Sequence, residues 1–153
     1  MTPSSLTAIQ LDALREVGGI GAAHAATALS ELSARRIELA VPSIDVLDIA
    51  EVPTVVGGPE AVACGLWSPL AGELPGGLLL LAAYREALLF IDMLRGAPAG
   101  STTAISAADE VLLQRAGTAL TKAYIEAIAG LTGADVRAEP ATLAVDMAGA
   151  LME

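Results

Sequence analysis

The stretch REVGGIGAAHAATALSEL, residues 15 to 32, has the apolar periodicity of a helix and constrains how the rest of the chain packs. Gly18, Gly19 and Gly21 lie in its interior. Each interior glycine costs roughly 1 kcal/mol of helix stability relative to alanine. A packing contact must therefore offset a loss of about 3 kcal/mol in helix stability, or a function must require the glycines.

The composition indicates one domain with thin, closely spaced layers. The chain has 153 residues, 54% of them hydrophobic and only 3% aromatic. This length suits a single domain with one core. Because aromatic side chains are scarce, Leu, Val, Ile and Ala must fill that core.

Charge and hydropathy exclude several classes of protein. The formal net charge of -10 argues against nucleic acid binding, which depends on Lys and Arg. The longest apolar run, GGLLLLAAY at 76 to 84, is too short to cross a bilayer. We therefore expect a cytoplasmic protein without membrane insertion. The sequence shows no metal-ligand pattern, so no metal or cofactor is expected, and the lone Cys64 is expected to be buried.

The opening segment recurs later in the chain. Residues 6 to 32 align without a gap on residues 105 to 131, an offset of 99. Thr7 with Gln10 forms a capping-box pattern, and Ser106 with Asp109 forms a close variant, so both segments predict helices with matching starts. The identical pairs are Ala8 and Ala107, Leu14 and Leu113, Gly18 and Gly117, Ala28 and Ala127, and Leu32 and Leu131.

An extended segment is predicted after each helix, at 36 to 49 and at 135 to 148. Residues 61 to 84 predict two strands around a turn rich in Gly and Pro. Residues 85 to 96 predict a short helix that Gly96 and Pro98 end.

These elements predict an α+β fold of two layers. Two long helices, related by a pseudo-two-fold axis, are expected on one face of a mainly antiparallel sheet. We assign residues 1–153 to a single domain with an internal repeat at 6–49 and 105–148. The second copy lacks a hairpin to match that of the first, so the sheet should have an open edge. Because an open edge can pair with a strand of another chain, we expect a homodimer through sheet edges or helices.

Spacings of three and four residues divide the first helix into two nearly opposite stripes. One stripe should face inward and contains Gly18 and Gly21. Without side chains at these positions, the backbone of the helix can closely approach the sheet or the partner helix, which explains the two glycines. The other stripe is smooth after its two acids and is interpreted as a docking surface, or as a surface that a third layer or a dimer mate covers. The first stripe is Leu14, Gly18, Gly21, Ala25, Ala28 and Leu32, and the second is Asp12, Glu16, Gly19, Ala23, Ala26 and Ser30.

The segment LDALREVGGIGAAHAATALSEL, with the VP after it and LAVDMAGALM near the end, resembles the CheC family of chemotaxis proteins. That family is related to CheX, FliY and the middle domain of flagellar switch proteins. Its motif is Asp or Ser, three residues, Glu, two residues, Asn, twenty-two residues and Pro. Asp12, Glu16 and Pro42 match the motif in register, whereas Gly19 occupies the Asn position. The resemblance implies two pseudo-symmetric long helices on a sheet.

The resemblance also implies a partner and a reaction. CheC-like proteins dock this helix on the phosphorylated response regulator CheY and hydrolyse its aspartyl phosphate, and some bind CheD. The Glu pairs with a lysine of the regulator, and the Asn carboxamide orients the attacking water. By this resemblance Glu16 is the expected catalytic residue, and Asp12, Gly19 and Ala23 are expected to bind the partner.

This chain departs from the family pattern in both copies. Gly19 has no amide, and the second copy has Arg115, Thr118 and Ala141 at the Glu, Asn and Pro positions. Thr118 offers a hydroxyl that can hold a water, and we include Arg115 and Thr118 among the partner-binding residues. We therefore expect a receiver-binding chemotaxis protein with weak hydrolysis. The alternative is a non-catalytic module: a regulator sink, a CheD-binding protein or a flagellar-switch-like protein.

Overall fold

The computed structural model describes residues 6–40 and 43–153 of the chain. Three α-helices, four strands and two short 3₁₀ segments make up the described part. In chain order they are α1 (Ala8–Ser33), a first 3₁₀ segment (Ile49–Val56), β1 (Val62–Gly72), β2 (Gly77–Ala83), α2 (Tyr84–Arg95), α3 (Ala107–Thr132), β3 (Val136–Ala138), β4 (Thr142–Met147) and a second 3₁₀ segment (Ala150–Met152).

The helix starts follow from local capping. The Thr7 hydroxyl accepts from the Gln10 N–H at 3.2 Å, and the Gln10 side chain accepts from the Thr7 N–H at 2.9 Å. Ser106 and Asp109 repeat this exchange at 3.2 and 2.9 Å. Two donors at each helix start are thereby satisfied. The predicted starts are confirmed, and α1 and α3 each contain 26 residues.

The sheet is built around β1, and every pairing in it is antiparallel. Strand β2 lies on one side of β1, with Leu66 opposite Leu80. On the other side lie β4, with Leu66 opposite Leu143, and β3, with Ala71 opposite Arg137. The predicted α+β fold with an antiparallel sheet is confirmed.

The core lies between α3, α2 and the helix-facing side of the sheet. Leu66 of β1 packs with Ile91 of α2 and Leu113 of α3. A second cluster joins Leu29 of α1 to Leu94 and Ala116. Helix α3 contacts β1, β3 and β4, whereas α1 makes most of its contacts along α3. The outer position of α1 leaves one of its long faces free of the sheet.

The other face of the sheet also carries apolar side chains. Trp67, Leu79 and Leu81 point away from the helices there, because side chains alternate along a strand. Together with Ile49 and Leu151 of the two 3₁₀ segments they line a cavity of about 620 Å³. The 3₁₀ segments thus cover part of this face.

The strand predicted at 36 to 49 is wrong. Residues 36–40 and 43–48 pair with no strand in the described part of the chain, and a 3₁₀ segment begins at Ile49. Both edges of β1 are occupied, one by β2 and the other by β3 and β4, and the segment does not use the outer edge of β2 or of β4. The Ser30 hydroxyl holds the segment instead, accepting from the Ile37 N–H at 2.8 Å.

The strand predicted at 135 to 148 forms as two shorter strands. Residues 139 to 141 interrupt it between β3 and β4. Pro140 lies in this interruption, where proline fits because it cannot donate to a ladder. The hairpin at 61 to 84 is confirmed, and so is helix α2, which ends at Gly96 with a left-handed φ of 67°.

Equal helix lengths and matching caps agree with an internal repeat. The single domain with copies at 6–49 and 105–148 stays a prediction. Within residues 6–40 and 43–153, no helix has both the length and the apolar character needed to span a membrane.

Candidate functional site

Two of the three central glycines of α1 permit close packing. A Cβ at Gly18 would overlap the end of the Ile44 side chain, and a Cβ at Gly21 would overlap the ring of Tyr124 on α3. The predicted close approach to the sheet or the partner helix is confirmed at Gly21 and wrong at Gly18. Gly21 meets the partner helix, whereas Gly18 meets the segment that follows α1.

The buried stripe of α1 differs in part from the predicted one. Leu14 is 40% exposed, whereas Leu29 and Ala22 are buried together with Gly21 and Ala25. Positions 21, 22, 25 and 29 follow the spacing of a helix that crosses a partner helix. Burial therefore shifts toward the point where α1 crosses α3, and the first turns of α1 lie outside that contact.

Gly19 lies on an open part of α1. A Cβ at this position would have no heavy atom within 4 Å. Asp12, Glu16 and Ala23 are exposed along the same face. We call Asp12, Glu16, Gly19 and Ala23 the α1 face, and no part of the chain that the structure describes covers it at Gly19.

The two acids of the α1 face have different electrostatic surroundings. Asp12 pairs with Arg15 at 2.9 Å, and both side chains are well exposed. Glu16 forms no ion pair within the described part of the chain. An exposed pair contributes little stability, so Glu16 is the acid of this face that is free to receive a cation from another molecule.

Arg115 and Thr118 lie at the other end of the helix pair. They line a groove of about 460 Å³ that also contains Leu32, near the end of α1. Gly21 meets Tyr124 while Leu32 lies beside Arg115, so α1 and α3 run antiparallel. Glu16 and Leu32 are about 24 Å apart along the helix axis at 1.5 Å per residue. The structure therefore does not bring Glu16 and Arg115 into one site.

The Thr118 hydroxyl is engaged within the fold. It donates to the Gln114 carbonyl at 2.7 Å and accepts from the Ala141 N–H at 2.9 Å. A hydroxyl has a single hydrogen to donate. Because the carbonyl of Gln114 takes that hydrogen, Thr118 cannot donate one to a water in this arrangement.

Gln114 is a residue of this region that the sequence analysis did not single out. Its side-chain oxygen accepts from the Leu143 N–H at 3.1 Å. Gln114 and Thr118 lie one helical turn apart and both hold the chain that leads into β4. The spacing of four residues shows that Gln114 and Thr118 share a face of α3. It does not show what they bind, because the partners of both side chains are more than twenty residues away in the sequence.

The proline of the family motif, Pro42, lies outside the described residues. Ile44, two residues later, packs on Gly18. The chain after Pro42 therefore crosses α1 one residue from Gly19. At the equivalent place in the second copy, Ala141 packs beside Gly117.

The α1 face has the chemistry of a docking surface with one anionic anchor. The Glu16 carboxylate can receive a lysine ammonium, and the small residues Gly19 and Ala23 let another backbone approach. No side chain at position 19 is available to orient a water, because glycine has none.

Comparison with known proteins places these features in a family. A model of the CheC-like family matches residues 9–45. The chain is 31% identical over 149 residues to the protein named CheY-P phosphatase CheC of Bacillus subtilis (strain 168), covering 94% of this chain and 69% of that protein. Among solved structures, Thermotoga maritima FliY superposes with a TM-score of 0.79 at 18% identity, over 92% of this chain and 70% of that one.

The family match covers the α1 face and the chain after α1 as far as Asp45, which includes Ile44. The FliY likeness supports the fold, in agreement with the antiparallel sheet and the long helices. Taken with the sequence identity to CheC over most of both chains, these observations establish that this chain belongs to the CheC-like family of chemotaxis proteins.

Proposed function

We propose that this chain docks on a phosphorylated CheY-like receiver domain through the α1 face and hydrolyses the aspartyl phosphate only slowly. The observation that carries the proposal is the exposed, unpaired Glu16 carboxylate beside the open position of Gly19. The relative named CheY-P phosphatase supports the choice of partner.

Glu16 provides the anchor for docking. An aspartyl-phosphate site on a receiver carries cations near the phosphoryl group, because phosphoryl chemistry needs positive charge there. A carboxylate that is not neutralised by its own chain can pair with such a cation. The small Gly19 and Ala23 allow the surface of the receiver to lie close to the α1 backbone.

Slow hydrolysis follows from the side chain that position 19 lacks. An acyl phosphate is already reactive, so the main contribution of a phosphatase is to hold a water in line. Without a carboxamide at Gly19, this contribution is lost. Single positioned polar groups of this kind typically change rates by about a hundredfold or more.

The test is the decay of a phosphorylated CheY-like receiver with and without this protein. We expect saturable binding, a modest acceleration of decay, and loss of both in Glu16→Ala. Glu31→Ala, at an exposed acid near the other end of α1, is the matched control and should leave both unchanged. Equal binding by wild type and Glu16→Ala would contradict docking through this face.

The second candidate is a non-catalytic interaction module, such as a regulator sink, a CheD-binding protein or a flagellar-switch-like protein. The bare Gly19 and the engaged hydroxyl of Thr118 favour it, because Gly19 has no polar side chain and the single hydrogen of the Thr118 hydroxyl is already donated within the fold. Receiver binding with an unchanged decay rate would favour this candidate. A pull-down with purified CheD tests that partner separately.

A homodimer stays a prediction, and the contacts of β4 bear on how it would form. An edge strand recruits another chain through its outward N–H groups. The N–H groups of Ala141, just before β4, and of Leu143 and Met147 within it instead donate to side chains of the same chain. The pairs are Ala141 to Thr118, Leu143 to Gln114, and Met147 to Asp146. We therefore expect a homodimer to use the helices or the outer edge of β2, and sedimentation at high concentration tests whether a dimer forms.

A further inference from the structure

The second copy of the motif differs from the first in backbone chemistry as well as in side chains. Pro42 of the first copy corresponds to Ala141 of the second. Proline has no N–H, whereas alanine has one that must find an acceptor when buried. Ala141 is 6% exposed, and its N–H finds the Thr118 hydroxyl at 2.9 Å.

The Ala141 N–H determines the role of the side chain at position 118. With proline at position 42, a side chain at position 19 is not needed as an acceptor for that backbone nitrogen. With alanine at position 141, the side chain at 118 is needed as the acceptor. With alanine at position 141, Thr118 thus supports the backbone at the start of β4.

Gln114 strengthens the same support. Its side-chain oxygen accepts from the Leu143 N–H at 3.1 Å, two residues after Ala141. Ala141 also packs near Gly117, where a Cβ would lie 3.1 Å from the Ala141 Cβ. Hydrogen bonds and packing therefore hold the start of β4 against α3 at adjacent points.

The residue at the position equivalent to Glu16 has the opposite charge in this half. Arg115 replaces the acid, is exposed, and forms no ion pair in the described part of the chain. Lys122 lines the same groove, and its ammonium pairs with Glu126 at 3.9 Å. A receiver surface that presents a cation to Glu16 would meet like charge at Arg115.

We propose that the α3 half is a structural anchor for β4 instead of a second docking site, so that one chain binds one receiver, at the α1 face alone. The stoichiometry in this statement rests on the proposed function. It revises the sequence-based expectation that Arg115 and Thr118 bind the partner. The anchor role of Thr118 stands on the contacts of the folded chain.

The stoichiometry is tested by calorimetric titration with a CheY-like receiver that carries beryllofluoride as the phosphate mimic. We expect one receiver per chain, and loss of all binding in Glu16→Gln. Two receivers per chain, or one receiver retained by Glu16→Gln, would overturn the proposal. A wild-type chain that binds no receiver contradicts the proposed function, and the measurement on Thr118 below still decides the anchor.

The anchor is tested by amide hydrogen exchange at Ala141. Thr118→Val keeps the shape but removes the acceptor, and should raise the exchange rate of the Ala141 amide by about fivefold or more, as expected for one lost hydrogen bond. Thr118→Ser keeps the hydroxyl and should leave that rate close to wild type. Equal exchange in the valine and serine variants would overturn the anchor role.

Discussion

The ring of Tyr124 on α3 occupies the space that a Cβ at Gly21 of α1 would need. Gly19, two residues earlier, has no heavy atom within 4 Å of the same hypothetical atom. Two glycines in one helix turn thus have opposite surroundings. One permits contact between helices, and the other leaves an open place on the α1 face.

Alanine substitution should separate these two glycines. Gly21→Ala should lower the free energy of unfolding by about 1–3 kcal/mol, because the Tyr124 ring must move. Gly19→Ala should raise it by roughly 0.5–1 kcal/mol, because alanine has the higher helix propensity and meets no neighbour. Urea denaturation of the three proteins measures both changes.

Gly130→Ala is the matched control, because Gly130 is also helical and a Cβ there meets nothing within 4 Å. It should be stabilising like Gly19→Ala. A stabilising effect of Gly21→Ala would contradict the close packing of Tyr124 on α1.

Restoring the family's residue at position 19 should increase hydrolysis. Gly19→Asn places a carboxamide beside Glu16 in open space, so it should raise the decay rate of a phosphorylated receiver by about a hundredfold. Phosphate release at saturating protein measures the rate.

Gly19→Leu adds a side chain of similar size without the amide and should show no increase. The double variant Glu16→Ala, Gly19→Asn should lose the gain, because docking is lost. Intact docking of Gly19→Asn without faster decay would contradict the assignment of position 19 to the water-orienting role.

Asp92 should make folding sensitive to acid. Its side chain is buried and accepts hydrogen bonds from the Thr102 hydroxyl and from the N–H groups of Gly100, Ser101 and Thr102. The bond from the Thr102 hydroxyl is the main cause that lowers the Asp92 pKa, and the three N–H groups lower it further. The backbone N–H of Ser106 likewise lowers the pKa of Asp109, with help from Arg95.

A lowered folded-state pKa stabilises the protein above the ordinary Asp value of about 4 and ceases to do so as the pH falls through the folded-state pKa. The free energy of unfolding should therefore decrease as the pH drops below about 4. Asp92→Asn should be less stable at pH 7 and should show a weaker dependence in this window. Urea denaturation at a series of pH values measures the free energy of unfolding, and Glu139→Gln, at an exposed acid, is the control. An equal loss of stability in acid for Asp92→Asn and wild type would contradict the role of Asp92.

Cys64 should react slowly in the folded protein. It is 4% exposed in β1, and burial raises the pKa of its thiol. Little thiolate is then present at neutral pH, and iodoacetamide reaches it poorly. Mass spectrometry should show slow alkylation of the native chain and rapid alkylation in denaturant, and rapid native alkylation would contradict the burial of this residue.

The sequence alone predicted the elements whose causes are local. Capping at Thr7 and Ser106 involves residues three positions apart, and Gly96 ends α2 through its own backbone conformation. The hairpin of β1 and β2 follows from two apolar runs around one turn. The placement of Asp12, Glu16, Gly19 and Ala23 on one face followed from spacing along a single helix, because periodicity assigns residues to faces without knowledge of the partner. That the position of Gly19 is open came from the structure.

Only the tertiary structure decided the features that depend on distant residues. The segment 36 to 49 looks like a strand, but its described residues pair with no strand, and the hydroxyl of Ser30 on α1 accepts from the Ile37 N–H instead. Thr118 looks like a residue of a site, but the N–H of Ala141, 23 residues away, engages its hydroxyl. Local sequence determines which groups can donate and accept, whereas packing determines which of them meet and which remain free for a partner.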